Sequence, residues 1–330
     1  MEIDPRRLRV LYEVARRGGV LRAAEALHLT SSAVSQQLAQ LEREVGLPLI
    51  DRSQRSVSLT PAGRVLAGYA ERVEEELAEA RRELTRFTER LAGPVRIAAF
   101  ATVIKHILVP ALAELAVRHP RITPVIHEIY GQPALQELRL GSVDVLITEQ
   151  DMGLPALSQP SLTTRLLYVD EYRIVVPPGW EEPPATVTDL MRCPWVASVP
   201  SHATGQALDR LAGLHGFEPR KVHFVTEFDS ALALVADGHG VAIVPGLALL
   251  DVPEGEVRVS DIREVGARRV DVVTRVGRTR SGEPDPVQAV VIEAIEEATA
   301  ALEGSLRGRL QRREEPSGAP SDVSRRPAGR

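Results

Sequence analysis

The chain has a single cysteine, Cys193, in 330 residues. One thiol cannot close an internal disulfide, which argues against a two-thiol redox switch. Beside Pro194 and Trp195 it reads as a small buried hydrophobe. No apolar run reaches the length of a membrane span, and no apolar signal region follows Met1–Arg7, so an exported solute-binding protein is not expected and a cytoplasmic one is. The motifs of common enzymes are missing too: no Gly-x-Ser-x-Gly elbow, no Walker loop, no His-Glu-x-x-His. Gly238-x-Gly240 follows a helical stretch and enters a strand, the reverse of a dinucleotide fingerprint. The eight histidines are scattered singly, without metal-ligand spacing. Neither catalysis, a metal nor a cofactor is expected.

Positive charge is also in short supply, with a formal net of −5. Its distribution matters more than its sum. Residues 1–60 carry nine arginines against seven acids, and 305–330 carry seven arginines against three. The middle therefore holds −11. A weakly basic head on an acidic body suits contact with nucleic acid through one end only.

What is present at that head is a helix-turn-helix pattern. Leu8, Leu11, Tyr12 and Ala15 form the apolar stripe of a first helix, ended by Gly18-Gly19. A second short helix carries Ala23, Ala24 and Leu27 on its inner face. The turn His28-Leu29-Thr30 follows, with Leu29 expected as a buried pin. Thr30 or Ser31 can cap the next helix, because a hydroxyl accepts an orphan backbone N–H. That helix buries Val34, Leu38, Leu41 and Val45. Its opposite face presents Ser32, Ser35, Gln36 and Ala39; with Ser31 at the helix start, the polar ones are of the kind that read base edges in a major groove. Gly46 and Pro48 stop it. Leu49–Thr60 then reads as a two-stranded wing, with Arg52 and Arg55 near its turn as cations for the DNA backbone or minor groove.

Thr60-Pro61 starts a long helix. Leu66, Ala70, Val73, Leu77, Ala80, Leu84, Phe87 and Leu91 recur at four-three spacing, the seam of a coiled coil. Leu66, Val73, Leu77, Leu84 and Phe87 are the expected dimer contacts. Gly93-Pro94 ends the helix. Strands and helices then alternate: strands near 95–99, 123–129 and 143–148, helices over 102–118 (begun or kinked at Pro110) and 133–140. After a breaker-rich crossing at 152–160 a second set follows, with strands at 165–169, 172–176 and 222–226 and helices near 204–215 and 230–236. The pattern is that of a parallel sheet covered by helices. A strand over 268–274 and a helix over 286–303 close the body. The tail 305–330, rich in Arg, Pro, Gly and Ser, is expected to be disordered.

The stretch 23–42, the Gly46-Leu47-Pro48-Leu49 exit, Arg52 and Leu59-Thr60-Pro61-Ala62-Gly63 together resemble the LysR-type transcriptional regulators. Leu140-Gly141-Ser142-Val143-Asp144 and 238–245 match the same family further on. Three features depart from it: Ser31-Ser32 stands for the usual Gln-Pro, Gln36 for an Arg or Lys, and Ile50 for an aromatic. The resemblance implies an α/β chain: a winged helix-turn-helix over 1–60, a linker and dimerisation helix over 61–92, and a two-lobed periplasmic-binding-protein-like effector domain over 93–304. Lobe one would be 93–162 with 268–304, and lobe two 163–267. It implies a dimer or tetramer that binds an interrupted inverted repeat of double-stranded DNA, takes a small-molecule effector between the lobes, and has RNA polymerase as a further partner.

In such sheets ligands sit beyond the carboxyl ends of strands and against helix N-termini. Those ends carry Thr102, Tyr130, Glu149, Ser201, Thr204 and Phe228. Helix capping alone would also account for Thr102 and Thr204, and a solvated loop acid for Glu149. As a site, the hydroxyls and helix ends favour a carboxylate, and Glu149 an amine or hydroxyl. The alternative function is an architectural DNA binder without an effector, which would have no use for two hundred residues of α/β domain.

Overall fold

The computed structural model describes residues 3–51, 58–86, 91–276 and 285–314. The chain divides into two compact units, one centred on residues 1–90, the other on 91–135 and 144–276 with the C-terminal helix.

The first unit opens with α1 (Pro5–Arg17), α2 (Val20–Leu27) and α3 (Ser31–Val45). Asp4 caps α1 and Gly18, at φ 69°, ends it in the left-handed conformation that glycine adopts without strain. Leu11, Ala23, Val34 and Leu41 form a dry core, each at zero exposure. Leu29 is not its pin. His28 takes a left-handed conformation and the Leu29 N–H returns to the Ala24 carbonyl, a helix-ending turn that leaves the Leu29 side chain 45% exposed. Strands β1 (Ile50–Asp51) and β2 (Ser58–Leu59) pair antiparallel as the base of the wing. α4 (Pro61–Arg86) follows, capped by Thr60, whose hydroxyl accepts the Gly63 N–H. Gly63 has a reason to be glycine: a Cβ there would stand 2.1 Å from the Leu49 carbonyl oxygen.

In the second unit, β3 (Gly93–Ala99) lies parallel to both β4 (Ile122–Glu128) and β5 (Val145–Asp151). The helical run after β3 is α5 (Ala101–Val103), a π-helical turn at Ile104–Leu108, and α6 (Val109–Arg118). Its irregularity lies just before Pro110, which has no N–H to give to an α-helical bond. α7 (Gly131–Arg139) precedes β5.

The sheet departs from the expected parallel pattern in one strand. Residues 162–176 are a single 15-residue strand, β6 (Leu162–Val176), not two. From Leu162 to Glu171 it pairs antiparallel with β11 (Ala267–Arg275), which also pairs antiparallel with β5. From Tyr172 to Val176 it pairs with β9 (Ala242–Pro245) and β10 (Arg258–Val259). Residues 163–170 therefore belong to the sheet of lobe one, which corrects the boundary at 163. The sheet is mixed because β6 leaves lobe one and β11 returns to it, and β11 runs against both β5 and β6.

Lobe two adds α8 (Val187–Leu190), β7 (Pro194–Ala197), α9 (Ala203–His215), β8 (Arg220–Phe224) and α10 (Phe228–Ala236). Ile174, Trp195 and Ile243 face one apolar core and Val175, Val196 and Val244 the other. The alternation is that of strands buried on both faces. A separate core serves lobe one, built on Ile97, Val103, Ile107, Val145, Val270 and Ile295. α11 (Pro286–Glu314) contributes to it and runs ten residues into the stretch expected to be disordered; 315–330 lie outside the described residues. Among the described residues, no helix is long and apolar enough to cross a membrane.

Candidate DNA interface and interlobe site

Helix α3 begins on a capped end. The Thr30 hydroxyl accepts the Ala33 N–H at 3.2 Å and lies 3.0 Å from the Ser32 hydroxyl. Ser35 donates its hydroxyl to the Ser31 carbonyl at 2.9 Å. Ser32, Ser35, Gln36 and Gln37 are exposed, and Ser31 is half-buried. Of the small hydroxyls, Ser35 is thus occupied by its own helix, and Gln36 is the long polar side chain that projects from this face. A groove continues along it, lined by Gln36, Ala39, Arg43, Leu47 and Pro48. Glu42 fixes the approach to the wing, accepting the Leu49 and Ile50 N–H groups at 2.8 and 3.1 Å. Arg52 and Arg55 lie outside the described residues.

On α4 the expected seam divides. Leu66 packs against the core of its own head, and Ala70, 1% exposed, packs with Leu8 and Tyr12. Leu66, half-buried, thus packs on its own head, a contact the heptad spacing does not show. Val73 and Leu77 are 38% and 44% exposed, and they continue a row with Val65 and Tyr69, at 63% and 56%. Residues four apart stack along one helix face, so the free apolar stripe is Val65, Tyr69, Val73 and Leu77. The sequence reading missed the first two because it followed the heptad rather than the head's own core. Arg72 lies over the Tyr69 ring at 4.2 Å. The side chain of Leu84 and the whole of Phe87 lie outside what is described.

The interlobe site is organised by a residue the sequence reading passed over. Arg268, second in β11, has no exposed side-chain surface. It stands opposite Asp170 on β6. Its Nε and Nη2 donate to Asp170 Oδ2 at 3.0 and 2.7 Å, its Nη2 to the Thr102 hydroxyl at 3.1 Å, and its Nη1 to Glu149 Oε2. The other Asp170 oxygen accepts the Leu247 N–H at 3.2 Å. The Phe100 and Phe228 rings lie 5.0 and 5.8 Å from the guanidinium carbon. Burial works against the charge of Arg268, but Asp170 and Glu149 outweigh it, so its pKa is raised. Burial likewise pushes the Asp170 carboxyl up, against the pull of Arg268 and the Leu247 N–H. Thr102, Glu149 and Phe228, expected at separate strand and helix ends, thus meet on one cation.

The remaining expected residues lie along α9 and its approach. Tyr130 stacks on His202, with ring centroids 5.7 Å apart and planes 20° apart. Its hydroxyl donates to Glu128 at 2.7 Å. Burial first, then that bond and the charge of Glu227, raise its pKa. His202 is the N-cap residue of α9 but makes no side-chain cap. Thr204, in the first turn, is 5% exposed, and among the described residues its hydroxyl has no partner; neither has that of Ser198. Thr204 is thus no ordinary cap. Ser201 is exposed. The loop before α9 lies directly on the helix, since a Cβ on Gly205 would stand 2.2 Å from the Val199 carbonyl oxygen. Arg268 and Asp170 had no distinctive sequence signal, because β11 also carries Arg269, Asp271 and Arg275, and β6 Arg165, Glu171 and Arg173. The Tyr130–His202 contact had none.

Among the described residues no group of three His, Cys, Asp or Glu could hold a metal ion. Cys193 is buried and bonded to the Asp189 carbonyl, and burial raises its thiol pKa.

Comparison with known proteins agrees with this architecture. Residues 5–64 match the bacterial regulatory helix-turn-helix protein, lysR family, and residues 88–298 the LysR substrate binding domain. A Shigella flexneri protein, the uncharacterized HTH-type transcriptional regulator YfeR, is 29% identical over 92% of this chain and 98% of its own. The HTH-type transcriptional regulator ShiR of Corynebacterium glutamicum is 33% identical over 71% of this chain and 83% of its own. In fold, a full-length OxyR variant from Pseudomonas aeruginosa is similar with a TM-score of 0.63 at 20% identity, over 91% of this chain and 95% of that one. With a helix-turn-helix head and a two-lobed effector-binding domain both matched, the chain belongs to the LysR family of DNA-binding transcription regulators.

Proposed function

We propose that Gln36, with Ser31, Ser32 and Ser35 around it, reads the operator, while Arg52 and Arg55 of the wing hold the DNA backbone. The subunits join through Val73 and Leu77, with Leu84 and Phe87 continuing the stripe. The two heads of a dimer, or a pair of such dimers, then read the half-sites of an interrupted inverted repeat. The effector binds between the lobes, against Thr102, Tyr130, Glu149, Ser201, Thr204 and Phe228. It carries a carboxylate, for which the uncapped end of α9 is suited. RNA polymerase is the partner through which such a cytoplasmic regulator acts.

One observation carries the sensing part: Thr102, Glu149 and Phe228, from three separate segments, surround a single guanidinium with no exposed surface. A buried ionic cluster at the junction of two lobes is costly unless every partner is in place. Its partners change if the lobes move. A ligand can shift that equilibrium only by its difference in affinity for the two states. The test is a footprint on the chain's own operator, titrated with fractionated cell metabolites. At least one fraction should alter the wild-type footprint, and Thr102→Val should need more of it while binding DNA equally in its absence. A footprint that no fraction changes would favour the architectural reading.

A further inference from the structure

We infer that the ligand of the interlobe site is a zwitterion of the amino-acid type, its ammonium held by Glu149 and its carboxylate by the first turn of α9. This rests on the reading of that site as the effector site, and it concerns only the ligand's charge.

The charge count comes first. Arg268 faces two carboxylates; with both ionised, the form that the N–H donors on each Asp170 oxygen favour, the three groups together carry one negative charge. Asp170 is closed: both oxygens are bonded and it has no exposed surface. Glu149 is not. Its Oε2 accepts Arg268, while its Oε1 has no hydrogen-bond partner among the described residues, and its side chain is 17% exposed. Around it the balance is no more positive. Glu128 and Glu227 act on Tyr130, and Lys105 is spent on Asp251 at 2.7 Å. A lone anion would add to an unbalanced negative charge where the dielectric is low, whereas an ammonium neutralises it.

The end of α9 asks for the opposite sign. It is a 13-residue helix without a side-chain cap, so its first N–H groups are unsatisfied and its dipole favours an anion. A second observation marks it as a receptor rather than an ordinary helix end. Thr204, in its first turn and only 5% exposed, has a hydroxyl with no partner among the described residues, and so does Ser198 on the loop before it. Buried hydroxyls left unbonded are uncommon, because leaving them unpaired is costly.

The two ends belong to one site. His202, at the start of α9, stacks on Tyr130, and Tyr130 packs on the lobe-one core that includes Phe100, whose ring lies 5.0 Å from the Arg268 guanidinium carbon. A carboxylate alone would leave Glu149 unanswered. An amine alone would leave Thr204 and Ser198 unanswered. A molecule carrying both groups satisfies the set, and the aromatic faces of Tyr130 and Phe228 suit its apolar part.

The test is calorimetric titration of the full-length protein with the twenty standard L-amino acids. For each binder its deaminated acid and decarboxylated amine follow, propionate and ethylamine for alanine, 4-methylpentanoate and isopentylamine for leucine. At least one amino acid should bind at least tenfold more tightly than both of its single-charge counterparts. Glu149→Gln should lose at least tenfold for that amino acid and nothing for the deaminated acid. Thr204→Val should weaken both. Circular dichroism of each variant, with Glu149→Asp as the charge-keeping control, separates loss of binding from loss of fold. Carboxylates that bind as well as the amino acids, with Glu149→Gln neutral or improved, would overturn the ammonium end. Amines that suffice alone would overturn the carboxylate end. If no amino acid binds, the zwitterion is wrong. The metabolite footprint then shows independently whether the lobes sense another ligand or none.

Discussion

Arg268 and Asp170 face each other across β11 and β6 with no exposed side-chain surface on either, joined at 2.7 Å. They stand 98 positions apart in the chain. A buried ion pair is weak evidence of stability as a whole, but breaking one side of it strands the other charge in a low dielectric.

Arg268→Met leaves Asp170 buried without a cation, and should therefore destabilise the protein by about 3–5 kcal/mol in urea unfolding. Replacing all three partners together, Arg268→Met with Asp170→Leu and Glu149→Gln, should recover most of that loss, since no charge is then left alone. A single substitution costing under about 1 kcal/mol, the range of exposed pairs, would show that water reaches the cluster and that the pair is not the closed element described above.

At the DNA interface, Gln36→Ala should cost about 1–3 kcal/mol on the specific duplex and relax its preference, while Arg52→Ala should weaken all sequences alike and flatten the salt slope by about one. Titrations on specific and scrambled duplexes separate the two effects. Equal losses on both duplexes for Gln36→Ala would remove it from base readout.

The free stripe of α4 makes a prediction about assembly. Val73→Asp with Leu77→Asp places charge on its exposed apolar row and should dissociate the oligomer in sedimentation, with loss of operator affinity. Leu66→Ala, by contrast, should lower the stability of the head and leave the oligomer intact, because Leu66 packs on its own core. The reverse outcome would return Leu66 to the dimer seam.

His106 sets a pH dependence. Burial lowers its pKa from 6.5, against the pull of Asp251 at 3.0 Å. As pH falls below 6.5 the unfolded chain takes up this proton before the folded one does, so folding stability should decline through that window, down to the lowered value. His106→Gln should flatten this part of the melting-temperature profile. A variant profile parallel to that of the wild type would show that other groups cause the decline.

Much of the head was legible because its determinants are local. The Thr30 cap, the period of Val34, Leu38 and Leu41, the Gly46 stop and the Thr60-Pro61 start each involve residues within about a turn of one another. Leu29 misled because its burial depends on where the left-handed His28 sends the chain, and a single residue's φ is not written in an apolar pattern. In the body, the alternation of strands and helices could be read, and with it the helix ends that carry Thr102, Thr204 and Phe228; Glu149, expected just past a strand, lies within β5.

The sequence by itself determined the order of elements, the polar face of α3 and the two-lobed outline. Backbone propensity, capping and hydrophobic period act over a few residues and survive without tertiary contact. Only the tertiary structure decided that β6 is one strand shared by two lobes, that Leu66 belongs to its own head, and that Thr102 and Glu149 are partners of Arg268, 166 and 119 positions away. Those outcomes depend on register between distant strands. A shift of one residue in β11 would turn Arg268 to the other face of the sheet, and no local pattern fixes it.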